Sequence, residues 1–406
     1  MPISSRAANA YRSPIRELED VAVATKARGT HVYHLNIGQP DIATPEVAWR
    51  ALDRFPREVL AYGPARGLQS YREALVGYYA RWNVSLEVED INITTGASEA
   101  IWLALNAITD PGDEVIVPEP FYALYNGFLQ LCDVGVAPVP TYLEDEFRLP
   151  DAAAVEAAVT ARTRAILLCN PSNPTGQVYA RADLEAIGAI AERHDLYVIV
   201  DEVYREFVYD GAAFTSALTI PALRERAVVI DSVSKRYSAC GARIGSIACR
   251  DAGLMTAITR LSRFRLCPPT IGQVMCERIV RADEHYLREA LAEYDRRRRV
   301  LYEGLRAIPG VRAYLPRGAF YCFAHLPVDD AEAFAAWMLT DFAYEGATVM
   351  VAPGAGFYAT PGRGRHEVRL AYVLNEADLR LALACLAVAL VAYEAKGARE
   401  AAMVVR

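Results

Sequence analysis

The feature that most constrains this chain is a series of short, nearly all-apolar runs, several of which end on a chemically distinctive residue. Ile91-Asn92-Ile93-Thr94-Thr95 leads into Gly96-Ala97-Ser98, and Ala165-Ile166-Leu167-Leu168-Cys169 leads into Asn170-Pro171. Tyr197-Val198-Ile199-Val200 ends at Asp201, and Val228-Val229-Ile230-Asp231 ends before Ser232. Two further runs are Glu114-Val115-Ile116-Val117-Pro118 and Ile244-Gly245-Ser246-Ile247-Ala248. Such runs suit strands buried on both faces rather than strands with one wet face. Longer helical patterns, such as Ser98–Ile108, separate them. Strands alternating with helices predict an α/β fold with a mostly parallel sheet flanked by helices and right-handed crossovers.

At 406 residues the chain is too long for one small domain. From about Ala282 the texture changes to long helical stretches and four short strand-like segments, Val311–Tyr314, Ala319–Ala324, Thr348–Val351 and Val368–Tyr372, before a last helix from Glu376 to about Ala395. The expected organisation is an N-terminal segment, 1–45, packing with a smaller α+β domain, 296–406, and a large domain, 46–295. The run Arg296–Arg299 sits in the helix expected from Glu284 to Arg306 and reads as a solvated face.

The net charge of −7 argues against a general nucleic-acid binder. Leu381–Tyr393 is the longest uncharged apolar run, shorter than the roughly 20 residues a membrane helix needs. The first twenty residues carry arginines but no apolar segment, so no secretory signal is expected and the chain reads as cytoplasmic. Eight scattered cysteines with no C-x-x-C pair read as reduced small hydrophobes. The histidines form no zinc pattern, and no metal site is expected.

In open α/β sheets, ligands bind beyond the carboxyl ends of the strands. Four such ends here carry Gly96-Ala97-Ser98, Asn173, Asp201 with Tyr204, and Ser232 with Lys235. Each has an ordinary reading on its own: a surface lysine, a helix cap, a turn. Together at successive strand ends they point to one crevice.

Asn173-Pro174-Thr175-Gly176, Asp201-Glu202-Val203-Tyr204 and the stretch Ser232–Gly245 resemble the cofactor motifs of the class I aminotransferases, pyridoxal-phosphate enzymes of fold type I. Tyr62-Gly63-Pro64-Ala65-Arg66-Gly67-Leu68 and Arg369-Leu370-Ala371-Tyr372 match two more blocks of that family. The resemblance implies pyridoxal 5'-phosphate as cofactor, carried by Lys235, which also moves the substrate proton. It implies Asp201 against the pyridine nitrogen, and Tyr204 and Asn173 on the ring oxygen. Tyr122 would stack on the ring, with Phe121 as the competing choice. Ala97, Ser98, Ser232 and Arg243 would hold the phosphate. Tyr62 would reach the phosphate of a second subunit, which makes a homodimer with shared active sites. Arg369, with Asn173 and the backbone near Gly38, would bind the substrate carboxylate.

Substrate choice is less legible. An ungapped match sets Ser262, not Arg263 or Arg265, on the family's side-chain-carboxylate position, yet Arg265, Arg12 and Arg16 are near enough in sequence to serve the pocket. A second arginine would favour aspartate, with 2-oxoglutarate as acceptor, in a ping-pong mechanism. A broad-specificity aromatic, methionine or alanine aminotransferase, or a carbon–sulfur lyase, would use the same core residues. A cofactor-binding DNA regulator and a nicotinamide dehydrogenase fit less well: the first wants an N-terminal DNA-binding domain, the second G-x-G-x-x-G.

Overall fold

The computed structural model describes residues 1–404 apart from Pro2, Arg54, Pro56, Arg57 and Asp283. The described strands are β1 (His31–His34), β2 (Ile91–Thr94), β3 (Glu114–Glu119), β4 (Gly135–Pro140), β5 (Thr163–Cys169), β6 (Tyr197–Asp201), β7 (Ala227–Ser232), β8 (Gly245–Ala248), β9 (Tyr321–His325), β10 (Ala347–Met350), β11 (Ala352–Pro353) and β12 (Glu367–Ala371). Seven form one sheet in the order β2-β8-β7-β6-β5-β3-β4. All its pairings are parallel except those of β8, which runs against both β2 and β7. The expected α/β fold with a mostly parallel sheet is therefore what the chain adopts.

The apolar runs are explained by the two-residue period of a strand. Ile166, Leu168, Val198, Val200 and Val229 enter one hydrophobic layer with helix Gln69–Ala80 and helix Arg181–Arg193. Their neighbours Ala165, Leu167, Ile199, Val228 and Ile230 enter the opposite layer with helix Gly96–Ile108 and helix Ala252–Ser262. Both faces are covered, so neither face of these strands can be polar.

A three-stranded antiparallel sheet, β11-β12-β9, and a parallel pair, β1-β10, lie outside the main sheet. Their core includes Phe320, Cys322, Val349, Val368 and Leu370, together with Leu379, Leu386 and Leu390 of the helix Glu376–Val404. The strand expected at Val311–Tyr314 is reduced to a single antiparallel bridge, Arg312 to His325. Pro309-Gly310 before it and Pro316 after it leave too little chain to pair further.

The arginine run departs from the expected solvated face. Successive residues of a helix step about 100° around its axis, so four in a row cannot share one side. Arg297 and Arg298 are 5% and 0% exposed. Arg298 pairs with Asp210 at 2.8 Å, and Arg297 with Asp41 at 2.6 Å and Glu293 at 2.7 Å. These two arginines are buried struts between the long helix Glu284–Arg306 and the loops it packs on. None of the described helices is long and apolar enough to cross a membrane.

Candidate active site

Strands β5, β6 and β7 are adjacent and parallel, so their carboxyl ends open on the same side. A cavity of about 560 Å³ lies there, a usual size for a small-molecule site. Asn173, Asp201, Tyr204, Ser232, Lys235 and Arg243 line it, as do Gly38, Ala97, Ser98, Tyr122 and Arg369. It is Tyr122, not Phe121, that faces this space; Phe121 is in the core.

At the buried end Asp201 is 4% exposed. Burial pushes its carboxyl up to about 6, although the Tyr125 hydroxyl (3.0 Å) and the Val203 N–H (3.3 Å) favour the ionised form. Tyr125 is absent from the sequence-based set; its only sequence signal is a position three residues after Tyr122. Lys235 reaches the cavity because Ser232 caps the short helix Val233–Arg236 and accepts from the Ser234 N–H. The Lys235 Nζ donates to the Gly38 carbonyl at 2.7 Å.

A second end of the cavity is cationic. Gly96 opens the helix Gly96–Ile108 with φ of +74°, and a Cβ there would lie 2.3 Å from an Arg243 nitrogen. Only glycine lets the guanidinium approach this closely. Thr95 gives no side-chain cap. First-turn N–H groups of a helix lack intrahelical partners and suit an anion.

A third end is built by β12. Val368 and Leu370 enter the core, so Arg369 faces the other way. It donates to Asn173 Oδ1 at 3.0 Å and to the Asn36 carbonyl, while its Nε has no partner. The guanidinium carbon lies over the rings of Tyr321, 4.4 Å away, and Phe357, 5.1 Å away.

Behind the cavity is a fully buried charge network. Arg236 grips Asp231 with two hydrogen bonds of 2.9 and 2.8 Å. Arg205 lies 3.1 Å from Glu202 and 3.7 Å from Asp231. Tyr78 and Tyr79 cover the two guanidiniums at 4.3 and 4.6 Å. Burial pushes Glu202 up to about 7 against the pull of Arg205. Each charged member is the chain neighbour of a cavity residue: 201 and 202, 204 and 205, 231 and 232, 235 and 236. The sequence shows these charges but not that they pair.

Two expected residues do not line this chain's own cavity, and one of them, Tyr62, is expected at the site of a second subunit. Tyr62 is 81% exposed and does not line the cavity. Arg265 does not line it either. Its Nε donates to Glu99 at 3.0 Å, and its other nitrogens donate to the carbonyls of Ala65 at 2.9 Å and Ile93 at 2.6 Å. With all three nitrogens engaged, Arg265 braces the chain between the segment at Ala65 and β2. Of the N-terminal arginines, Arg16 lines the cavity and Arg12 does not. Among the described residues no His, Cys, Asp or Glu cluster is placed to hold a metal ion.

The sequence model of the family described as aminotransferase class I and II matches residues 30–385. The chain belongs to that family. As an aminotransferase it is similar to the aspartate aminotransferase of Rhizobium meliloti strain 1021, with 32% identity over 402 residues covering 95% of each chain. It is also similar to aromatic-amino-acid aminotransferase 2 of Thermococcus litoralis, 30% identical over 92% of this chain and 94% of that one. The solved structure of the Thermus thermophilus aspartate aminotransferase with maleate superposes with a TM-score of 0.87 at 30% identity, covering 96% of this chain and 100% of that one. Members of the family use pyridoxal 5'-phosphate, and the residues here fit it. A buried carboxylate, an amine, an arginine cradle that a Cβ at Gly96 would fill, and an arginine with a free Nε share one cavity.

Proposed function

We propose that this aminotransferase transfers the amino group of aspartate to 2-oxoglutarate in two ping-pong half-reactions. The observation that carries the reading is the placing of Arg369 and Arg16 on the same cavity as Lys235. Two cations suit a substrate with two carboxylates, because a buried carboxylate without a partner is costly. The names of relatives span aspartate and aromatic aminotransferases, so the donor is the quantity to measure.

Bound pyridoxal 5'-phosphate supplies an electron sink for the pair left when the substrate loses its α-proton. Lys235 would hold the cofactor, and its free amine would carry that proton as general base and acid. Asp201, ionised above its pKa of about 6, would hold a proton on the pyridine nitrogen. Tyr204 and Asn173 would donate to the ring oxygen, and Tyr122 would pack on the ring face. Ala97, Ser98, Ser232 and Arg243 bind the phosphate. Arg369 and Asn173 clamp the α-carboxylate beside Gly38, and Arg16 takes the side-chain carboxylate.

A homodimer completes the site. Val59, Leu60, Tyr62, Phe264 and Leu266 are 78%, 59%, 81%, 85% and 53% exposed, an apolar strip suited to burial against a second copy. Tyr62 from that copy then reaches the phosphate. The enzyme works in the cytoplasm.

Steady-state kinetics with aspartate, tyrosine, methionine and alanine against 2-oxoglutarate test the reading. Aspartate should show the highest kcat/KM, and a clear preference for an uncharged donor would overturn it. Release of ammonia and pyruvate without any oxo acid would mark a lyase instead.

A further inference from the structure

Tyr321 is the aromatic residue of β9 that reaches across to the strand ends of the main sheet. Its hydroxyl is 2.9 Å from the Tyr204 hydroxyl. Its ring is the platform for Arg369, with the guanidinium carbon 4.4 Å from the centroid. It packs so tightly on Gly38 that a Cβ there would lie 1.9 Å from the hydroxyl oxygen. Gly38 is also the residue whose carbonyl accepts from Lys235 at 2.7 Å. One side chain thus touches the tyrosine beside the reacting ring, the arginine that binds the carboxylate, and the backbone that holds the lysine.

We infer that Tyr321 is a positioning residue with two separable parts, its hydroxyl fixing Tyr204 for the chemical step and its ring holding Arg369 for carboxylate binding. The physical basis differs for each part. The two phenols are buried at 3% and 2% exposure. A buried hydroxyl needs a partner; with the Tyr321 O–H donating to the Tyr204 oxygen, the single Tyr204 proton is left to point at the ring oxygen. The ring acts through its π face. A cation over an aromatic face in a dry site is attracted electrostatically, and Arg369, 1% exposed, meets no carboxylate among the described residues. Phe357 also packs on the guanidinium, at 5.1 Å, without a contact to Tyr204. The inference rests on the assignment of Arg369 as carboxylate ligand.

The division predicts a split between kcat and binding. Tyr321→Phe keeps the ring and removes the hydroxyl. It should lower kcat about 2- to 10-fold, the range of one neutral hydrogen bond, and leave KM for the amino donor within twofold. Tyr321→Leu should also weaken carboxylate binding, by about 2- to 30-fold. Phe357→Leu should weaken binding in the same way while sparing kcat. Binding is read without turnover by calorimetric titration of each folded holoenzyme with 2-methylaspartate, which has no α-proton to lose. If Tyr321→Leu and Phe357→Leu bind this probe as tightly as wild type while Arg369→Lys does not, the platform role is wrong and the arginine assignment stands. If Arg369→Lys binds it unchanged, the assignment fails and the inference with it. An unchanged kcat in Tyr321→Phe overturns the hydroxyl role.

Discussion

The phenol of Tyr125 donates a 3.0 Å hydrogen bond to Asp201, a carboxylate that is nearly sealed from water. That one bond does not outweigh burial, and the carboxyl rises from 3.8 to about 6. The folded chain therefore holds a proton there that the unfolded chain has released, and the sign of the effect on stability follows. The contribution favours folding below about pH 4 and is lost as pH rises through about 6.

Asp201→Asn removes the charge and can keep the hydrogen bond from Tyr125. The cofactor-free variant should melt higher than wild type at pH 8 and equally at pH 4, a gain of up to about 3 kcal/mol from a shift of about two units. The same variant should lose transamination. Calorimetric melts at the two pH values check the first statement, and a lower melting point at pH 8 would count against it.

Asp231 shows the opposite balance. Burial raises its pKa, but Arg205 and Arg236 beside it prevail and hold it below the usual carboxylate value. Its stabilising contribution is present above the unfolded pKa and is lost as pH falls through the folded one. Asp231→Asn leaves the buried Arg236 without a carboxylate and Arg205 with Glu202 alone, and should cost about 3–5 kcal/mol in urea unfolding. Adding Arg236→Met should recover part of that loss, since an apolar replacement leaves one fewer unpaired charge. A double variant no more stable than the single would remove the pairing from the account.

Arg16 offers a cheaper test of substrate choice. Its side chain is 65% exposed and pairs with Glu19 at 2.9 Å. Arg16→Gln should raise KM for aspartate about tenfold, in keeping with loss of one charge-assisted contact, and leave KM for alanine unchanged. Equal effects on both donors would show that the residue does not discriminate between them.

The sequence foretold the sheet well because interior strands have no wet face, and the resulting apolar runs are hard to mistake. It missed β4, whose Gly135-Val136-Ala137-Pro138-Val139-Pro140 carries two prolines. Prolines are tolerated at a sheet edge, and β4 is the edge strand beside β3. The helix at Gly96 was expected two residues later, at Ser98, since a glycine at its start reads as a turn. At the site, residues in recognisable blocks were legible. Tyr125 and Tyr321 were not, because their importance comes from what lies opposite them across the fold. Arg297 and Arg298 were misread for the same reason, their carboxylates being supplied partly by distant loops.

The one-residue offset between cleft and charge network has an evolutionary corollary. Positions 201, 204, 232 and 235 share peptide bonds with buried ions, so drift at either member of a pair disturbs the other. New donor preferences are accordingly expected to arise on the less buried fringe of the cleft, around Ser13 to Arg16, while the catalytic floor stays frozen.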